Sequence, residues 1–437
     1  MSPRPPLSRR TFLRAGASLA LPLVLGRCKQ PESNEGLRPD PAGVLDLPEG
    51  FSYRILERRG DAMDDGFRVP GQPDGMGCFP GPAGSNTLVL MRNHELEPGQ
   101  DAVGPSPRGP RPSLAYRPED LSPGGVTRVV VDASTFTRLS SNLVLAGSMR
   151  NCSGGASPWG WLTCEETLAE GHGYVFLCDP AASSVQAPVP IPGLGRMNHE
   201  AAVVDPETFI TYLTEDRGDS CFYRFVPETP GVRLGLESRG RLQALRIEST
   251  PRRDMNTQVK QGDTFLVDWV DLPSPNAEDD SLRRQGAERG AALFRRGEGL
   301  FFHDGAVLFC ATTGGPEAGG QLWRYKPQGI QGGTLELLAQ AEDRGRLDMP
   351  DNICVAPWGD VVMAEDGDSD TWPDEFLRIL TPSGEVRNLA RSALASGSEF
   401  AGVCFSPDGR ALFANIQGDG LTLVITGPFQ QYTGTAL

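Results

Sequence analysis

The chain has 437 residues, enough for one large domain or two or three ordinary ones. Its 53 glycines and 38 prolines, beside 38% hydrophobic residues, suggest many short elements joined by turns and argue against disorder or a helical bundle. A net charge of −15 excludes a general nucleic-acid surface, which needs clustered positive charge to displace counterions, and suits cation binding.

At the N-terminus, Ser8-Arg9-Arg10-Thr11-Phe12-Leu13-Arg14 precedes the apolar run ASLALPLVLG, the pattern of a twin-arginine export signal over residues 1–28. The expected partner is therefore the twin-arginine translocation machinery, and the expected location is the periplasm or the outside of the cell. Leu25-Gly26-Arg27-Cys28 partly matches a lipoprotein box, but Arg27 stands where a small residue is needed, so a lipid anchor at Cys28 is left as an alternative. The apolar run is shorter than the ~20 residues of a membrane span, so no transmembrane helix is expected in the mature protein.

A polar, Pro-rich linker is expected at 29–45, followed by a single domain over 46–437. Short apolar runs with β-branched and aromatic residues recur at 87–93, 126–132, 142–147, 174–179, 209–216, 221–227, 306–313, 352–357, 361–366 and 411–417, with almost no helical period. The chain reads as all-β. AAVVDPETFITYLTED, GLFFHDGAVLFCATTGG, NICVAPWGDVVMAEDG and GVCFSPDGRALFANIQGDG can be overlaid, each a strand, a turn and a second strand ending in polar or acidic residues. Starts near 299, 352 and 402 give a period of about 50, the spacing of propeller blades. A β-propeller of five to six blades follows, with inner-strand ends lining a central channel; the polar stretch 228–290 breaks the pattern and reads as a possible insertion.

Only three lysines occur (Lys29, Lys260 and Lys326), which leaves little for Schiff-base or P-loop chemistry. Nothing has C-x-x-C zinc spacing, and Cys164, Cys178, Cys221, Cys310, Cys354 and Cys404 sit in strand-like runs as buried thiols. No G-x-S-x-G, HExxH, P-loop or dinucleotide motif is present.

The inner-strand ends of a propeller converge although they are far apart in sequence. On that reading Asn93-His94-Glu95, Asn151-Cys152, Glu165-Glu166, His199-Glu200, Glu215-Asp216, Glu298, Asp351-Asn352, Glu365-Asp366 and Glu399 meet at the channel mouth. Converging carboxylates repel unless protonated or bridged by cations: oxygen donors suit calcium, and one thiolate admits a transition metal such as iron. In Arg296-Gly297-Glu298 the arginine and glutamate point to the same side of a strand, which would pair a phosphate clamp with a metal ligand. A surface arginine in a basic stretch fits that spacing equally well.

NCSGGASPWGWLTCEE (151–166), GRMNHEAAVVDPETFITYLTEDRGDSCFYRFVP (195–227), FRRGEGL (294–300), MPDNICVAPWGDVVMAEDG (349–367) and SEFAGVCFSPDGRALFANIQ (398–417) resemble, in order, the PhoX-type alkaline phosphatases, the DUF839 family. The resemblance implies a monomeric six-bladed propeller that uses Fe3+ and Ca2+ to hydrolyse small phosphate esters. It implies Cys152, Glu200 and Glu298 as iron ligands and catalytic groups, and Arg296 as the catalytic contact to phosphate. Glu95, Glu165, Glu166, Glu215, Asp216, Asp351, Asn352, Glu365 and Glu399 are implied as calcium ligands or their supports. Trp159-Gly160-Trp161 is tighter than the family pattern. Two other functions compete: a calcium-dependent lactonase or phosphotriesterase, which needs no cysteine ligand, and an exported propeller that binds without catalysis.

Overall fold

The computed structural model describes residues 36–99, 114–367 and 374–435. The expected signal at 1–28, with Cys28, and the first part of the linker lie outside the described residues.

Six strands form the inner ring: Pro73–Pro80, Asn151–Ser157, His199–Val204, Gly297–His303, Pro350–Val355 and Phe400–Phe405. Each touches the next in that order, and the last touches the first. From each inner strand the chain runs outward through antiparallel neighbours, as in Pro73–Pro80, Thr87–His94, Gly124–Asp132 and Arg138–Ser148. The second strands, such as Ala306–Ala311 and Ala411–Ile416, are buried along their whole length. Sheets packed against both faces leave no polar side, which explains why their sequences are near-continuous apolar runs. The outer strand Gly332–Gln340 instead alternates buried and half-buried residues, the period-2 signature of one wet face.

The fold is all-β and propeller-like, with five separate sheets rather than one per inner strand. Thr264–Asp271 hydrogen-bonds to Gly240–Ile247 on one side and to Gly332–Gln340 on the other, joining two four-stranded units into a nine-stranded sheet. The stretch 228–290, read as a possible insertion, therefore supplies sheet strands as well as the helix Leu282–Glu288. The expected linker also ends before residue 45, because Leu37–Arg38 pairs with Leu45–Pro48, which in turn pairs with Val386–Ser392. Ser52–Arg58 adds the outer strand to Leu421–Thr426. The start of the domain thus covers the edges of the last two sheets, where exposed N–H and C=O groups would otherwise template aggregation.

Among the described residues eight cysteines are free thiols, all buried except the half-buried Cys78. None of the described helices is long and apolar enough to cross a membrane.

Candidate metal centre

Every inner strand is irregular at its start. The pairing slips between Pro73 and Met76, Asn151 and Gly154, His199 and Ala202, Gly297 and Leu300, Pro350 and Ile353, and Ala401 and Cys404, two residues each time facing one on the partner. Such a bulge bends the strand and re-aims a side chain. The first bulged residues are Asp74, Cys152, Glu200, Glu298, Asp351 and Gly402, so five of the six positions offer a carboxylate or thiol. The sixth has no room for one: at φ 59°, a Cβ on Gly402 would lie 2.1 Å from the Asp74 carbonyl oxygen.

A second tier follows the end of each second strand. The N–H groups of Glu95, Glu166, Asp216, Thr312, Asp366 and Gln417 donate to the carbonyls of Gln72, Arg150, Asn198, Arg296, Met349 and Glu399, respectively. This repeated closure sets four further carboxylates beside the bulges. Ligand atoms of Cys152, Glu166 and Glu200 lie within 4.8 Å of one another, and so do those of Glu298, Asp351 and Asp366. Cys152 Sγ also donates to Glu200 Oε2 at 3.1 Å. Asp74 Oδ2 and Glu95 Oε2 share Gln417 Nε2.

Three of the expected ligands turn elsewhere. Glu165 accepts from the amides of Met149, Gly173 and Tyr174 and pairs with His172 at 2.7 Å. Glu215 accepts from Tyr223 Oη at 2.6 Å and faces Arg283. Glu365 takes Arg378 Nε at 2.7 Å and the amide of Asp348. These residues end their strands one position before Glu166, Asp216 and Asp366, and alternation points them the other way. Asn352 works within the ring scaffold, donating to Asp351 Oδ1 and accepting from the Gly402 amide. Half-buried Glu399 stands at the rim, level with Arg150 and Arg296.

Neither histidine of the two Asn-His-Glu tripeptides approaches the ring. His94 bonds to the Gly71 carbonyl and Thr127, and His199 to the Gly195 carbonyl; burial drives the His199 pKa down to about 4. Asn93, which the sequence also placed at the mouth, positions the thiol strand: it donates to the carbonyls of Cys152 and Ser153 and accepts from Trp161 Nε1 at 2.8 Å.

Arg296 and Arg150 occupy matching places, each two residues before a bulged ligand and each in the left-handed region, at φ 54° and 50°. Non-glycine residues pay for that conformation, and it clusters at functional sites. Arg296 bridges Asp216 at 3.0 Å, Asp366 at 3.3 Å, and Glu298. Arg150 bridges Glu95 at 2.8 Å and Glu166 at 2.5 Å.

Eight carboxylates (Asp74, Glu95, Glu166, Glu200, Asp216, Glu298, Asp351 and Asp366) thus face two guanidinium groups, and all eight are buried except the half-buried Asp366. Burial, then the charges of Glu200, Glu166, Asp74 and Glu95, push the Cys152 thiol well above its ordinary pKa. Burial outweighs Arg296 to raise Glu298 likewise, aided by Asp351, Asp216 and Glu200, and Glu298 Oε2 accepts no hydrogen bond. A buried negative excess with one thiol fits hard cations together with one softer metal.

Asp74 and Arg150 were missed in the sequence. Pro73-Asp74-Gly75 repeats the Pro350-Asp351-Asn352 pattern, so the first of them could have been found. The far ends of the inner strands line a cavity of about 520 Å3, walled by Phe79, Trp161, Phe301 and Phe405 and therefore of a different character from the acidic ring.

The family model of alkaline phosphatase PhoX matches residues 33–143 and 123–420. No curated protein matches the chain. Among solved structures, Pseudomonas fluorescens PhoX in complex with vanadate, a transition state analogue, is 18% identical, with 88% of this chain and 96% of that chain aligned at a TM-score of 0.67. At that identity the likeness shows the fold. A gluconolactonase from Xanthomonas campestris aligns at 14% identity over 86% of this chain and 95% of that one, but its TM-score of 0.37 carries no argument.

Proposed function

The chain belongs to the PhoX alkaline phosphatase family, and we propose that it hydrolyses small phosphomonoesters at the acidic ring with the help of bound iron and calcium. The observation that carries this reading is the pair of ligand triads, Cys152–Glu166–Glu200 and Glu298–Asp351–Asp366, beside the fork of Arg296. The thiol triad would hold Fe3+ and the all-oxygen triad Ca2+, which moves Glu298 from the expected iron ligands to the calcium side because it groups with Asp351 and Asp366, with Glu95, Asp74 and Asp216 completing the shells. When bound, such cations polarise the phosphoryl oxygens and lower the pKa of a water molecule.

The chain supplies the rest. Arg296 turns two parallel N–H groups onto phosphate oxygens and stabilises charge as phosphorus is attacked in line. Its left-handed backbone fixes the direction of the side chain before substrate arrives. Asn93 and Trp161 hold the thiol strand, and the bulges hold the carboxylates, so the site is built in advance and pays little reorganisation. Imidazole proton transfer has no place here, since His94 and His199 are tied to the scaffold. The Pseudomonas fluorescens relative was solved in complex with vanadate, a transition state analogue, which supports phosphoryl chemistry as the reading for this chain.

The six inner strands support reading the ring as a propeller of six blades, and the chain is proposed to act as a monomer. The twin-arginine pattern at 8–14 supports export to the periplasm or beyond, with Cys28 as the alternative anchor. The decisive experiment is release of p-nitrophenol from p-nitrophenyl phosphate at alkaline pH by protein loaded with iron and calcium. Turnover that chelation abolishes and metal restores is expected; a metal-loaded, folded protein that releases none sinks the proposal.

A further inference from the structure

The six residues whose carbonyls close the second tier form a rim around the ring: Gln72, Arg150, Asn198, Arg296, Met349 and Glu399. Its two cationic members are Arg150 and Arg296. Gln72, Arg150, Arg296 and Met349 all hold a left-handed backbone, at φ between 45° and 54°, so one backbone device repeats around the rim. The chain has placed arginine on it twice.

Each arginine is tied to one ligand triad. Arg296 meets Glu298 and, at 3.3 Å, Asp366 of the oxygen triad, and Arg150 meets Glu166 of the thiol triad at 2.5 Å. Each also immediately precedes an inner strand, Asn151–Ser157 for Arg150 and Gly297–His303 for Arg296. Those two strands touch one another as well as His199–Val204, the strand between them. The Arg150 and Arg296 side chains are 21% and 18% exposed, so both reach solvent at the mouth.

A counter-charge for Glu95 and Glu166 needs no fixed fork, and a lysine would supply it. Arg150 is instead held on both sides: its N–H donates to the Leu96 carbonyl at 2.9 Å, and its carbonyl accepts from the Glu166 amide at 2.9 Å, in a conformation that is costly without glycine. Arg296 has the same build, between the Arg217 carbonyl and the Thr312 amide. Strain of this kind clusters where ligands are clamped. With cations in the triads, Glu95 and Glu166 have other counter-charges, and the Arg150 guanidinium can turn to an anion arriving at the mouth. We propose, resting on the phosphatase reading, that Arg150 is a second contact to the substrate phosphate, gripping it from the side of the thiol triad while Arg296 grips it from the side of the oxygen triad.

The test reads phosphate binding, which does not depend on turnover. Inorganic phosphate is titrated calorimetrically into metal-loaded protein, unaltered or carrying Arg150→Gln or Arg150→Lys, with iron and calcium measured in each. Loss of a hydrogen bond to a charged group should weaken phosphate binding in Arg150→Gln by about 10- to 100-fold. kcat/KM for p-nitrophenyl phosphate should fall with it, and Arg150→Lys should lie between, since an ammonium keeps the charge without the fork. Undiminished phosphate affinity in Arg150→Gln, with both metals retained, overturns the contact and leaves Arg150 a counter-charge. If Arg150→Gln loses iron, Arg150→Lys decides, because it keeps a cation beside Glu95 and Glu166: weaker phosphate binding with iron retained supports the contact, and undiminished binding or loss of iron overturns it. Unaltered protein that binds phosphate without turnover sinks the phosphatase reading alone; turnover without measurable phosphate binding sinks the role of Arg150 alone.

Discussion

Arg296→Lys isolates the fork of the arginine from its charge. Both side chains are cationic and both pay the same left-handed backbone cost at φ 54°, so the fold is not asked to change. What is lost is geometry. The guanidinium reaches Asp216 through Nε at 3.0 Å while Nη2 meets Asp366 at 3.3 Å and Glu298. An ammonium offers a compact point charge, and on a phosphate it replaces two aligned N–H groups by one. Removing one preorganised donor from a developing anion costs ~10²–10³ in rate, or ~2.7–4 kcal/mol. The expected result is a fall of that size in kcat/KM for p-nitrophenyl phosphate, carried mostly by kcat, since the bonds tighten as charge develops. Iron and calcium contents should match the unaltered protein, and the thermal midpoint should move by no more than ~2–4 °C, the equivalent of ~1 kcal/mol. A variant that retains its metals and loses less than about threefold in kcat/KM would refute the clamp; a loss confined to KM would reduce Arg296 to uniform binding.

Cys152→Ala should lose iron and phosphatase turnover while keeping calcium, as read by elemental analysis beside the assay; unchanged activity would favour a calcium-dependent hydrolase of another kind. Arg150→Leu leaves Glu95 and the buried Glu166 without their shared cation, so the metal-free protein should lose about 3–5 kcal/mol in urea unfolding. Metal-loaded protein should lose much less, because bound cations replace the missing charge; equal losses in both states would separate Arg150 from the centre. Glu215 is held at about 7 by burial against the pull of Tyr223 and Arg283. A raised carboxyl pKa means the native state keeps its proton, so this stability is full below ~4.5 and is lost as pH rises through about 7, by about 3 kcal/mol. In chelated protein Glu215→Gln should remove that share of the pH dependence; identical profiles for both proteins would show that Glu215 is not its source.

The outward half of the fold was legible because its signals are local. Apolar second strands, turn residues between them and a period of about 50 residues follow from burial on both faces and from blade spacing. The joining of two units by Thr264–Asp271 was not, since the half-buried strand TFLVDWVD lies within a polar stretch rich in Arg, Asp and Glu, and its role is fixed only by its neighbours on both sides. The edge strand Leu45–Pro48 was missed for a related reason: its partner, Val386–Ser392, lies more than three hundred residues away.

The acidic pairs show where sequence reading stops and what would carry it further. Glu165-Glu166, Glu215-Asp216 and Glu365-Asp366 are each a strand's last residue and its successor, so alternation sends the two side chains to opposite sides, and composition cannot say which goes inward. A slip of one residue would exchange them. The bulge opposite decides the matter: it pairs Asn151 with Glu165, His199 with Glu215 and Pro350 with Glu365, which turns the first acid of each pair outward and leaves the second for the axis. The outward acid is then balanced by the scaffold, with His172, Tyr223 and Arg283, or Arg378 as partner. The inward acid, placed by its amide bond to the rim, meets other carboxylates instead. Each doublet thus divides its labour by register, a structural glutamate beside a candidate ligand, and His94-Glu95 follows the same rule with a histidine in the structural place.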